Sequence, residues 1–366
     1  MRINVFHVLI LFISAACVDR IDINTGKGIS PVVISGYISN QPGPYRIEVA
    51  KAIDIDAKLS VKNLISVKKL VISDNLGTSE ILKEIEQGIY ETNPSGIQGE
   101  IGRSYKIYVE LLDGRIYESK PDTIVARGEM DSVYFKFKSE EVDDATQYGF
   151  DIFFDSHGDK EDSYRYLWKL TGTYQIETNP ELYAEPCGQS TCPKPRACSG
   201  YVVNGSGSLV QVGPCECCTC WIGLNDALPI ISDSQFIRAG QFRAVNAGYI
   251  PLNEWIFMHK VYAEVRQYSL SAQAFAFWKA ALAQKSATSS LFQPITGRIP
   301  NNFVQLGGPS GQIEGLFYAT AITSKSVFIN RLDVPNQGLL KDPDLKFKES
   351  CVQFGNATTE RPSFWY

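Results

Sequence analysis

The sequence predicts a mainly β protein of two bodies. An immunoglobulin-like β-sandwich is expected at residues 31–128. A larger β-rich C-terminal domain follows at 129–366, with one α-helix and a Cys-rich insertion at 187–220. Three observations predict this. Apolar and polar side chains alternate at period two through several short runs, as strands with one buried face require. Only one convincing stretch carries helical spacing free of glycine and proline. Seven cysteines fall within 34 residues, in a stretch rich in Gly, Ser and Pro and poor in large apolar side chains. At 366 residues, 44% hydrophobic and 20% charged, the chain has the length for two domains and the apolar content for a sizeable core. Its net charge of -5 sets it apart from nucleic-acid binders, which present a basic face.

Met1–Ala16 reads as an export leader. Arg2 supplies the positive start, Val5–Ile13 is an apolar run too short to span a bilayer, and Ser14-Ala15-Ala16 is a small-residue cleavage site. Cys17 follows at once, an arrangement that resembles the bacterial lipobox, so Cys17 is the expected lipid anchor. Residues 17–30 are polar and contain glycine, as a tether would.

In the first body Tyr45, Ile47 and Val49 alternate with Arg46, Glu48 and Ala50, and Leu70-Val71-Ile72 runs into the turn cluster Asp74-Asn75-Leu76-Gly77. Tyr105–Ser119 holds two alternating segments around Asp113-Gly114, a strong hairpin signal. In the second body Val133, Phe135 and Phe137 alternate with Tyr134, Lys136 and Lys138. Phe150–Phe154 and Tyr164–Leu170 are expected to pair around a solvated acidic loop, Asp155–Asp162, which lacks the glycine of an EF-hand. Strands resume at Glu254–Tyr268. Ser269 or Ser271 can cap a helix over Ala272–Lys285, where Phe275, Trp278 and Leu282 share one face, as in a helix packed on a sheet. Leu316–Ile322 and Lys325–Asn330 read as two further strands.

Eight cysteines remain beyond Cys17: Cys187, Cys192, Cys198, Cys215, Cys217, Cys218, Cys220 and Cys351. An exported chain with an even number favours disulfides, which would order a stretch too poor in apolar residues to form its own core. The Cys-x-x-Cys spacings at 215–218 and 217–220 leave zinc as the alternative. No nucleophile elbow, His-Glu-x-x-His pair or phosphate loop appears, so the expectation is no enzyme, no catalytic residue, no cofactor and no metal. Past the leader only His157 and His259 could serve a histidine mechanism, and His259 sits in a strand-like run. Tyr183, Tyr201 and Trp221, in or near the insertion, are the candidate ligand-binding aromatics. Thr123 and Ser132 resemble the Asp-Ser/Thr-apolar sites at which some exported bacterial proteins are O-glycosylated, and they fall at the inferred, exposed domain boundary.

An ordered series of segments is similar to one family. Val32–Ile38 with Pro42-Gly43-Pro44-Tyr45, then Gly102-Arg103-Ser104-Tyr105, Asp113–Ser119, Cys220-Trp221-Ile222, Tyr268–Ser271 with Phe275 and Phe277-Trp278, Gly315–Ala319 and Pro362–Trp365 resemble the Bacteroidota outer-membrane lipoprotein family known as domain of unknown function 4249. Family members often carry a Cys-x-x-Cys near the C-terminus. Here Cys351 has no such neighbour and must pair at a distance or stay free. The resemblance implies a lipoprotein of the outer membrane, facing the cell surface or the periplasm, often encoded beside TonB-dependent transporters, with no known activity. The expected function is a non-enzymatic accessory or ligand-capture partner of such a transporter, held at the membrane by its N-terminal lipid, with no nucleic-acid partner. A cell-surface adhesin or structural module is the alternative from another class, and a polysaccharide-acting surface enzyme the third.

Overall fold

The structure is a computed structural model that describes residues 31–52, 63–143, 145–158, 164–224, 228–232, 237–238, 241–288, 299–340 and 347–366. The leader, Cys17, the tether and Asp159–Asp162 lie outside the described residues.

The fold is mainly β, with one α-helix among the described residues, Ala272–Thr288. An 11-stranded sheet forms a spine. Its ordered path runs from the short strand Ala357–Thr358 through Thr219–Gly223, Tyr166–Glu177, Lys260–Ser269, Ile313–Asn330, Val32–Ser39, Arg46–Lys51 and Ile89–Glu91 to Lys83–Glu86. A six-stranded sheet, which includes the expected hairpin Ser104–Leu111/Ile116–Ser119, packs on the first half of the chain's spine strands. A four-stranded sheet built on Glu129–Val142, Ala145–His157 and Gln241–Pro251 packs on the second half.

One strand joins the two halves. Ile313–Asn330 runs parallel to Val32–Ser39 along 313–320 and antiparallel to Lys260–Ser269 along 321–330. Its side chains alternate as a strand's must. Phe317, Ala319 and Ala321 enter the core of the first body and Ile329 that of the second, while Leu316, Tyr318 and Ile322 point to the opposite face. Both bodies therefore sit on one face of the spine. The helix covers the other.

Where this strand lacks a neighbour, side chains satisfy its backbone. Asn302 receives the Phe317 N–H at 3.2 Å and donates to its carbonyl at 2.5 Å. Asp122 accepts from Ala319 N at 2.8 Å, and Asn40 accepts from Ile322 N at 2.7 Å.

Several expectations change. Leu316–Ile322 and Lys325–Asn330 are one 18-residue strand, the polar Thr323-Ser324 being carried through by pairing with Gln267 and Arg266. Phe303–Gly307 and the first half of Ile313–Asn330 pair with strands of residues 31–128, so a cut at 128/129 does not separate self-contained sheets. Phe150–Phe154 and Tyr164–Leu170 do not pair: their strands, Ala145–His157 and Tyr166–Glu177, lie in different sheets. Asp155 is in a strand, not a loop, where it accepts from Ser132 Oγ at 3.0 Å and Ala244 N at 2.7 Å. Residues 254–259 form a turn instead of extending the strand, because the Asn253 side chain accepts from Trp255 N and Ile256 N.

The Cys-rich stretch folds into two hairpins, Ala184–Cys187/Ser190–Pro193 and Tyr201–Val203/Leu209–Gln211. Four disulfides fix it: Cys187–Cys192, Cys198–Cys217, Cys215–Cys218 and Cys220–Cys351. The last spans 131 residues and is fully buried, so it locks the C-terminal tail to the insertion. In the loop-entropy view a closure this long stabilises by about 5 kcal/mol.

Candidate functional site

The helix is seated where the two bodies meet. Ser271 Oγ accepts from Ala274 N at 3.1 Å and so caps the N-terminus, as the sequence leads one to expect. Phe275, Trp278 and Leu282 pack against Leu167, Tyr268, Leu316 and Tyr318 of the spine. The helix does not cover the whole face. A groove of about 760 Å³ remains beside it, lined by Tyr37, Tyr268, Tyr318, Phe277 and Trp278, with Gly36 and Gly315 in its wall and Arg46, Glu48, Lys169 and Lys285 around it. A further hollow of about 440 Å³, lined by Gln41, Glu264 and Arg266 among others, shares Tyr37 and Arg46 with it. A groove of this size, apolar inside with a few polar groups and set at a junction of bodies, is the usual form of a ligand site.

Tyr37 is the centre of the groove. Its ring lies 5.8 Å from Tyr268, edge-on, and 5.4 Å from Tyr318, while Trp278 meets Tyr318 edge-on at 6.4 Å. Burial first, and the neighbouring phenols second, hold the Tyr318 hydroxyl well above the ordinary tyrosine pKa, and Tyr268 is raised for the same reasons. Both stay protonated at physiological pH and present neutral O–H groups. The charged groups along the hollow occur as pairs on single strands. Arg266 binds Glu264 at 2.7 Å, and Arg46 lies 3.9 Å from Glu48. Aromatic faces, neutral hydroxyls and fixed ion pairs suit the binding and orientation of a polar organic ligand.

Among the described residues, neither histidine lies in the groove. His157 Nδ1 lies 2.7 Å from Asp131 Oδ1, and His259 Nε2 lies 3.2 Å from Glu177. Neither is bonded to a serine or cysteine among the described residues. Among the described residues no group of three or more His, Cys, Asp or Glu is placed to hold a metal, and every cysteine is in a disulfide. No helix among them is long and apolar enough to cross a membrane.

The three aromatics singled out from sequence are not brought together. Tyr183 carries the Arg196 guanidinium 3.5 Å above its ring, and Arg196 holds Glu349 with two hydrogen bonds. Tyr201 lines a hollow of about 550 Å³ on the second hairpin. Trp221 is buried, edge-on to Trp365, in the wall of a separate cleft. Thr123 and Ser132 are half-buried in strands. Thr123 Oγ1 bonds Ser104 Oγ at 2.6 Å and Ser132 Oγ donates to Asp155, so their boundary is less exposed than expected. The groove tyrosines were missed because each lies in a different run, and only the sheet assembles them. The one local signal was Tyr268 directly before the capped helix.

No curated protein matches the chain. A family model matches residues 18–326, most of its length, and so takes in both bodies and the groove while leaving out Cys351 and the tail. The chain belongs to the family described as a domain of unknown function, DUF4249.

Proposed function

We propose that this chain is a Bacteroidota lipoprotein anchored to the outer membrane through Cys17 and displayed at the cell surface. It works without enzymatic activity as an accessory or ligand-capture partner of a TonB-dependent transporter. The observation that carries the reading is Cys17 placed directly after a short apolar leader and a small-residue cleavage site. Residues 17–30 reach up to about 45 Å when extended, enough to swing the body over a neighbouring protein. Confinement to the membrane plane raises the effective concentration at the transporter, so a weak interface suffices. The junction groove is the place where a captured ligand would lie, and the disulfides keep the body rigid outside the cell.

The test is metabolic labelling with an alkyne fatty acid, followed by crosslinking and purification from membranes. The parent protein takes up label and brings a TonB-dependent transporter with it. Cys17→Ser takes up none and leaves the membrane fraction. Absence of label on the parent removes the anchor, and labelled protein recovered without any transporter removes the partner.

A further inference from the structure

We propose that the cleft between Trp221, Lys260 and Arg361 is a second binding site, for acidic oligosaccharides. It concerns the folded body alone and does not depend on lipid at Cys17 or on a transporter.

The cleft measures about 640 Å³, far more than an inorganic anion fills. His259, Lys260, Arg331 and Arg361 line it, and among the described residues no Asp or Glu side chain does, the nearest being Glu177, 3.2 Å from His259 Nε2. In a chain of net charge -5 this is a local concentration of positive charge, and such a concave patch draws anions. One of its cations, Arg361, is paired with no acidic group among the described residues. Arg361 uses Nε to bond the Trp365 carbonyl at 2.8 Å, which leaves the outer edge of its guanidinium for a carboxylate. Lys260 is itself paired with the main-chain carboxylate of Tyr366, the last residue of the sequence, and lies 4.4 Å from the ring centre of Phe328, 5.3 Å from Trp365 and 5.2 Å from Tyr366. Its ammonium is fixed in place rather than swinging in solvent.

The remaining lining fits the sugar part of the ligand. Tyr366 is 83% exposed and offers a ring face at the rim for the C–H side of a sugar. Gln175, Thr219 and Asn330 place amide and hydroxyl groups within the same cleft. Trp221 Nε1 is buried in its wall without a hydrogen-bond partner, a costly state for an N–H that a sugar oxygen would relieve on slight adjustment. A bare phosphate would use the cations and leave the rest of the cleft unfilled.

The test is titration calorimetry on the purified full-length protein, with trigalacturonate and a heparin-derived trisaccharide as acidic probes. Maltotriose and inorganic sulfate are the comparisons. Each probe is measured against the parent, Arg361→Ala and Arg361→Lys. Arg361 is exposed, so these variants keep the fold, which the melting temperature checks. At least one acidic trisaccharide binds the parent, added salt weakens it, and Arg361→Ala loses about tenfold in affinity, with Arg361→Lys between the two. Maltotriose and sulfate bind at least tenfold more weakly. No binding of either acidic probe, equal binding of maltotriose or sulfate, or an affinity untouched by Arg361→Ala overturns the proposal.

Discussion

Asp122 joins three parts of the molecule through one carboxylate. It lies in the first body, accepts the Ala319 N–H of the shared strand at 2.8 Å, and lies near enough to the hydroxyl of Ser271, the residue that caps the helix, for that hydroxyl to favour its charged form. Burial, the largest influence, pushes its carboxyl above the ordinary 3.8 despite the lowering by those groups. With the folded value above the unfolded one, the folded state binds the proton more tightly. The associated stability is complete below pH 3.8 and is lost as pH rises through the raised value. Asp122→Asn keeps an acceptor for Ala319 and removes the buried charge. Its melting temperature at pH 7 should equal or exceed the parent's, and the advantage should shrink as pH falls toward 4. Asp122→Ala leaves the Ala319 N–H unpaired and should be about 1–3 kcal/mol less stable than Asp122→Asn at any pH. An asparagine variant as unstable as the alanine one at pH 7 would refute this account. Nothing near Asp122 in sequence announces the role, because its partner is 197 residues away.

At the scale of elements, legibility followed how local the determining contacts are. The hairpin was legible because Asp113-Gly114 fixes its turn, and Gly114 adopts a φ of 85°. The helix was legible because its cap, Ser271, and its buried face, Phe275, Trp278 and Leu282, lie within one run. The strand Ile313–Asn330 looks like two in sequence because Thr323-Ser324 interrupts its apolar pattern, and its partners at 32–39 and 260–269 are remote. Gly315 is the residue that lets it form. At a φ of 105°, a Cβ there would lie 2.0 Å from the Ile34 carbonyl oxygen, so only glycine permits the parallel approach. Gly77 provides the comparison: its φ is 93°, but a Cβ would meet nothing within 4 Å. Gly77→Ala should cost about 1–2 kcal/mol from backbone strain alone. Gly315→Ala should cost at least roughly 2 kcal/mol more, read from urea midpoints at constant slope. Equal losses would show that the approach of the two strands is not tight.

For the molecule as a whole, the shared strand makes two bodies into one unfolding unit. The first body's core is incomplete without Phe303, Ile313, Phe317, Ala319 and Ala321, which arrive only after the chain has built most of the second. Each large apolar side chain contributes about 1.5–3 kcal/mol when buried, so neither body keeps its stability once the strand leaves the other. The tryptophans allow a direct test. All five (Trp168, Trp221, Trp255, Trp278 and Trp365) follow residue 129, so their fluorescence reports on the second body and the helix, whereas far-UV circular dichroism reports on both bodies. Phe317 is fully buried in the first body's core. Phe317→Ala should remove about 3–5 kcal/mol. If the bodies unfold together, tryptophan fluorescence should move to the same lowered denaturant midpoint as circular dichroism, in one transition with calorimetric and van't Hoff enthalpies equal. If they unfold separately, the tryptophan midpoint stays where it was and the circular dichroism curve splits in two. Coupling of this kind also bears on the groove. Tyr37 belongs to the strand Val32–Ser39, Tyr268 to Lys260–Ser269 and Tyr318 to the shared strand, so the three rings keep their spacing only while both bodies are folded. A ligand in the groove therefore stabilises the whole molecule, and its binding raises the single midpoint by mass action rather than one of two.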